Sequence, residues 1–115
     1  MAERQLQEPT RLVLIALADA PRHGYAIIQE VLAISEGRTQ LRTGTLYTAL
    51  DRLLQQGHIR VDSEEVVAGR LRRTYALTDQ GRELLLLETQ HLRATLHETE
   101  RRLASGRLHL HGGTA

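Results

Sequence analysis

Thr43, Thr45 and Thr48, with Gly44 among them and Arg52 just beyond, put small hydrogen-bonding side chains and one cation into a single short stretch, and Arg70, Arg72 and Arg73 follow soon after. A threonine hydroxyl can hydrogen-bond to a base edge or a phosphate oxygen, its methyl can touch a thymine methyl, and an arginine can reach a guanine edge or a phosphate. Small polar groups to read with, then arginines to grip with, suit contact with duplex DNA.

The residues around these groups specify the elements that must hold them. Leu46, Leu50, Leu53 and Leu54 recur at helical spacing, with Ala49 beside them, and form one apolar stripe. The opposite face then carries Thr45, Thr48, Arg52 and Gln55, while Thr43 and Gly44 fall at the helix N-terminus, where a cap and a close approach are expected. A merely solvated amphipathic helix would show the same periodicity, so the next segment matters. Gly57 ends the helix, His58-Ile59-Arg60-Val61 alternates like a strand, and a polar turn is expected around Ser63 to Gly69. Arg70 to Leu77 alternates again, completing a β-hairpin, or wing. Alternation predicts Leu71, Tyr75 and Leu77 on one face and Arg70, Arg72 and Thr74 on the other, with Arg73 on the inner face near the tip. The wing arginines have two available roles: neutralising phosphates, or pairing with Asp62, Glu64 and Glu65 across the hairpin.

Upstream, Arg11 to Ala20 is apolar on nearly every side and is expected to be the central buried helix, broken by Pro21. A second helix is predicted from about Gly24 to Ser35, with Ile27, Ile28, Val31, Leu32 and Ile34 facing inward and Glu36-Gly37 closing it. Helix, helix, polar turn, helix, hairpin is the winged helix-turn-helix order, so the fold class is mainly α with a small β-hairpin.

Composition fits one small domain plus a protruding element: 115 residues, formal net charge +1 and no cysteine. The balance excludes a uniformly basic coat, yet residues 38–73 hold seven arginines against four acids, a surplus of three placed on the proposed DNA elements. Lack of cysteine removes disulfides, thiolate ligands and a Cys nucleophile. No segment reads as a signal peptide and the longest apolar run, Leu12 to Ala18, is far too short to span a bilayer, so no membrane contact and a cytoplasmic location are expected. His91 and His97 fall on different helix faces, and His109 and His111 have no acidic companions, so no metal or other cofactor is expected. Phosphate-binding loops and nucleophile elbows are also missing, which argues against an enzyme.

Four motifs now stand in order: His23-Gly24-Tyr25 opening the second helix, Gly44-Thr45-Leu46-Tyr47 opening the third, Leu50 with Leu53 behind it, and Tyr75-Ala76-Leu77-Thr78-Asp79-Gln80-Gly81 after the wing. Each alone is weak, but together, at this spacing, they resemble the PadR family of bacterial transcriptional regulators from about Leu12 to the C-terminal helix. The resemblance implies a dimeric repressor whose third helix enters the major groove, whose wing touches the flanking backbone and whose C-terminal helix dimerises. By position it makes Tyr25, Thr45 and Tyr47 contact candidates and Arg70, Arg72 and Arg73 wing candidates. Family members usually carry proline where Thr43 and Thr48 stand, so base preference does not transfer. Tyr25, Tyr47 and Tyr75 also admit a plainer role, packing a ring into the core with the hydroxyl outward. A small-molecule effector is left open by the resemblance, although no aromatic residue occurs between Gly81 and Ala115.

Thr78 is a good N-cap ahead of Asp79 and Glu83, and nothing breaks the helix before Leu103. Leu85, Leu92, Leu96 and Leu103, with Thr89 and Thr99 between them, step alternately by three and four residues and trace a coiled-coil type of seam. Leu84, Leu86 and Leu87 add a second apolar face suited to the first helix of a partner chain, with intramolecular packing as the alternative. The expected organisation is a DNA-binding winged helix-turn-helix over residues 8–77, a dimerisation helix over 78–105 and a tail over 106–115. A winged-helix module that binds protein instead of DNA is the competing function, and it would call for larger apolar anchors on the third helix.

Overall fold

Leu14, Leu17, Ile27, Leu46, Leu50 and Leu53 are essentially removed from solvent and tie three helices around one core. Burying each such side chain contributes about 1.5–3 kcal/mol, which makes this cluster the main source of cohesion. The computed structural model describes residues 6–113, with side chains through residue 108. In chain order the elements are α1 (Glu8–Ala16), β1 (Arg22–His23), α2 (Gly24–Ile34), α3 (Thr43–Gln55), β2 (Ile59–Val67), β3 (Arg70–Leu77) and α4 (Asp79–Gly113). The strands form one antiparallel sheet in the order β1-β3-β2. The chain divides into two units after Leu85, so only the first two turns of α4 belong with the winged part.

The first helix is displaced toward the N-terminus relative to the predicted Arg11–Ala20. Pro9, with its φ preset, helps start it in the first turn, and the bonds from Leu17 and Ala18 to Leu14 and Ile15 tighten its end. Arg22 then closes it: its Nε donates to the Ala16 carbonyl at 2.8 Å, while the same guanidinium meets Asp19 and Glu30. On α2 the predicted inward face is narrower than expected. Ile27 and Val31 are fully buried, Ile28 partly, but Leu32 and Ile34 are each 37% exposed because they rotate off the stripe. The α2–α3 turn is held by Ser35, whose buried hydroxyl accepts from the Thr39 N–H at 2.9 Å and donates to the Leu32 carbonyl. Glu36 and Gly37 take left-handed conformations there.

The wing is longer than the sequence pattern suggests. Instead of a polar turn from Ser63 to Gly69, β2 continues to Val67 and only Ala68 and Gly69 form the loop, both with positive φ. Two residues at positive φ make the mirror-image turn that suits the twist of a hairpin. Polarity misled the reading because both faces of a protruding ribbon are wet, so Ser63, Glu64 and Glu65 can be strand residues. Asp62 is an extra residue opposite β3, a bulge between the Val61–Tyr75 and Ser63–Thr74 pairs. Tyr75 and Leu77 are buried as expected, but Leu71 is 58% exposed: it sits beyond the reach of the core, paired with Val66 near the tip.

Thr78 caps α4 as predicted, accepting from the Gly81 N–H at 3.0 Å, and its hydroxyl donates to the Gly57 carbonyl at 2.6 Å. Gly81 lies so close to the His58 carbonyl that a Cβ there would overlap it. The Thr78 to Gly81 stretch thus clamps the start of α4 onto the junction between α3 and β2. Leu84 and Leu85 pack against the core. Beyond them α4 runs to Gly113 instead of giving way to a tail at 106, and the side chains of His109 and His111 lie outside the described residues. Among the described residues no helix is long and apolar enough to cross a membrane, and no cluster of potential ligands could hold a metal ion.

This contrast between glycines is testable. Gly81→Ala should destabilise the protein by about 1–3 kcal/mol through overpacking against the backbone. Gly106→Ala, with open space around it, should keep or raise stability by about 1 kcal/mol. Paired thermal melts check both, and equal Tm values for the two variants would contradict the clamp.

Candidate nucleic-acid interface

The exposed face of α3 is set by what the helix hides. Leu46 and Leu50 are 0% exposed and Leu53 1%, with Leu54 and Ala49 partly buried, so rotation of the helix is fixed. Thr45, Thr48, Arg52 and Gln55 consequently stand on the exposed side. Thr43 does not cap the helix as predicted. Arg42 occupies the N-cap position, no side chain caps that end, and Thr43 is the first helical residue. An exposed, uncapped N-terminus leaves backbone N–H groups at Thr43, Gly44 and Thr45 that can meet an anion. Thr45, Thr48 and Arg52 border a shallow groove of about 470 Å³ with Pro9 and Thr10 of α1. That contribution of the α1 N-terminus was not anticipated, since nothing in the sequence pairs residues 9–10 with 45–52.

A second concavity, about 310 Å³, lies between the start of α2, the ring of Tyr47 and the wing. Gly24 gives the ring room. A Cβ at that position would lie 2.5 Å from the Tyr47 hydroxyl, so any larger residue would push the ring away from the beginning of α2. His23 caps this end, its Nδ1 accepting from the Ala26 N–H at 3.3 Å. Tyr25 is 66% and Tyr47 42% exposed, whereas Tyr75 is 4% exposed. The three tyrosines therefore divide: Tyr75 takes the plain core role and the other two border the groove.

Arg70, Arg72 and Arg73 all line this groove, but in different electrostatic conditions. Arg72 meets Glu65 and Arg73 meets Glu64, each at 2.8 Å, and Arg60 meets Asp62 at the same distance. Glu64, through its hydrogen bond and its charge, holds the Arg73 guanidinium above its ordinary value. Arg70, opposite Val67 at the tip, has no acidic partner among the described residues. Arg73 and the Tyr75 phenol border the same small concavity with Tyr47 and Asp51, so the guanidinium bears on the phenol's charge. Burial pushes that phenol up, the neighbouring Tyr47 adds to the shift and Arg73 opposes it.

Comparison with known proteins settles which family has this architecture. The model of the PadR-like family of transcriptional regulators matches residues 13–86. A transcriptional regulator of Mycobacterium tuberculosis is 37% identical over 100 residues, spanning 87% of this chain and 86% of that protein. The chain belongs to the PadR-like family of transcriptional regulators. An uncharacterised 37.1 kDa protein in a transposon of Streptomyces fradiae is 47% identical over 74 residues, which are 64% of this chain but only 20% of that protein. Among solved structures, a PadR family regulator from Clostridium difficile superposes with a TM-score of 0.68 at 24% identity, covering 82% of this chain and 96% of that one. Bacillus subtilis PadR in complex with operator DNA gives 0.61 at 20% identity, covering 69% and 45%. These neighbours show the PadR winged-helix fold.

The Tyr75 environment predicts an alkaline response. Burial favours the neutral phenol in the folded state, so its folded pKa exceeds the unfolded value of about 10. The stability it contributes is complete below that value and is lost as pH rises through the folded pKa. Tyr75→Phe should therefore lose less stability than wild type between about pH 9 and pH 11, and one of the three tyrosines should ionise late in an absorbance titration. Identical alkaline profiles for the two proteins would show that the phenol does not titrate with unfolding.

Proposed function

We propose that this PadR-like regulator is a sequence-specific DNA-binding repressor that acts as a homodimer at an inverted-repeat operator in the cytoplasm. The observation that carries the reading is the division of α3: a fully buried leucine stripe on one side, and Thr45, Thr48 and Arg52 on an exposed side free of large aliphatic anchors. In this reading Thr45, Thr48 and Arg52 address base edges, while Thr43, Gly44, Tyr25 and Tyr47 meet phosphates around the groove and Arg70, Arg72 and Arg73 meet the flanking backbone. The operator-bound Bacillus subtilis neighbour supports it through its shared fold.

The homodimer rests on α4, where Leu92, Leu96 and Leu103 are 44%, 57% and 67% exposed. Leu85 already packs on the core, so the free part of the proposed seam starts at Leu92, with Leu86 and Leu87 exposed ahead of it. Replacing Leu92 and Leu96 with Asp should convert dimer to monomer or unfolded chain, because charge would be buried in an apolar contact. Sedimentation velocity at micromolar concentration checks this, and a monomeric wild type would remove the dimer.

Specificity is tested at Thr48. Two reading helices about one DNA turn apart, roughly 34 Å, call for half-sites about 10 base pairs apart centre to centre. Thr48→Ala should keep the fold, since the leucine stripe is untouched, and cost about 1–3 kcal/mol at particular bases. A binding-site selection on both proteins decides it: selection of no common sequence by wild type overturns sequence-specific binding, and identical preferences leave specificity to Thr45 and Arg52.

A further inference from the structure

Arg72 and Arg73, on β3 of the wing, each find an acidic partner directly across the ribbon. Glu65 stands opposite Arg72 and Glu64 opposite Arg73 in the strand register, and each pair closes at 2.8 Å. The pairs lie on opposite faces, since successive residues of β3 alternate, so both sides of the wing are compensated. All four side chains are between 43% and 57% exposed, which leaves them open to a competing ligand. A carboxylate and a phosphate oxygen offer a guanidinium the same kind of charge-assisted hydrogen bond. Exposed pairs of this kind contribute only about 0–1 kcal/mol, so a phosphate row at the same distance can replace them.

Resting on the DNA-binding reading above, we propose that Glu64 and Glu65 are internal competitors of the DNA backbone, holding Arg73 and Arg72 in place of phosphate and so limiting how tightly the wing grips any duplex. Arg70, opposite Val67, is then the wing cation that engages without first leaving an acid. The two acids act on affinity for all sequences alike, because the wing meets backbone while α3 meets bases. A purely structural role for the same pairs makes a different demand: loss of the acids would lower hairpin stability and leave DNA binding unchanged.

The experiment compares the full chain with Glu64→Gln/Glu65→Gln, with Glu65→Gln alone, and with Glu83→Gln/Glu100→Gln, which removes the same charge outside the wing. Binding to a random-sequence duplex is measured across a salt series, with circular dichroism to verify folding. The double wing variant should bind several-fold tighter than wild type, and its plot of log affinity against log salt should steepen by about 0.9 for each arginine released, with the single variant showing about half that change. Unchanged affinity and slope in a wing variant that folds overturn the proposal while leaving DNA binding by the wild type intact. An equal gain in Glu83→Gln/Glu100→Gln also overturns it, since bulk charge would then suffice. Failure of every protein, wild type included, to bind any duplex overturns the DNA-binding reading itself.

Discussion

The face that α3 turns outward is set by three leucines. Leu46, Leu50 and Leu53 are so completely buried that rotating the helix by one residue, about 100°, would expose part of the stripe and bury threonine hydroxyls without partners. That cost, several kcal/mol for the leucines alone, locks Thr45, Thr48 and Arg52 into one orientation. The remaining structure is arranged around this fixed helix. Gly24 admits the Tyr47 ring over the start of α2, and Gly57, Thr78 and Gly81 seize its C-terminal end. Both ends of α3 are thereby held by close approaches, to the Tyr47 side chain at one end and to the His58 backbone at the other, which suits a surface that must be rigid before it meets a partner.

The wing follows a different logic. Its outer half buries almost nothing: Val66 is 71% and Leu71 58% exposed. Cohesion there comes from the ladder, the two-residue turn and the cross-strand ion pairs, each of them weak in water. Only at Tyr75 and Leu77, both buried in the core cluster, does the ribbon gain a firm root. A rooted base and a lightly held tip place the arginines where they can yield their acidic partners at little cost.

Where burial decides, the sequence was legible. The leucine stripe of α3, the order of the elements, the Thr78 cap and the inward Tyr75 all follow from periodicity and turn chemistry, because core packing enforces those rules. Periodicity failed where that enforcement lapses. Polar residues 63–65 resemble a turn but continue a strand, since neither face of a projecting ribbon must be apolar. Leu71 alternates correctly and still lies in solvent, and Leu32 and Ile34 are apolar without being core. The Arg22 staple between α1 and α2 and the place of Pro9 and Thr10 beside α3 depend on tertiary proximity, for which one sequence offers no spacing to read. The ion pairing of Arg72 and Arg73 was one of two open roles, and only the strand register, shifted by the bulge at Asp62, brings each arginine opposite its acid.

Local charge and the proposed dimer bear on each other through affinity. Of the seven arginines between positions 38 and 73, Arg38, Arg60, Arg72 and Arg73 meet acids, which leaves Arg42, Arg52 and Arg70 without an ion pair among the described residues. On the DNA-binding reading, a winged unit that presents so few open cations would neutralise few phosphates and grip an arbitrary duplex only weakly. Weak grip per unit is useful to a regulator facing a vast excess of wrong sites, provided that two units act together on the right one. Joining them makes the second contact intramolecular, raising its effective concentration to about the millimolar range without adding any contact. On the proposed reading the exposed leucines of α4 are therefore as much a part of operator selection as Thr48: they turn two weak readers into one discriminating one, and the restrained wing charge keeps that gain from being spent on non-specific DNA.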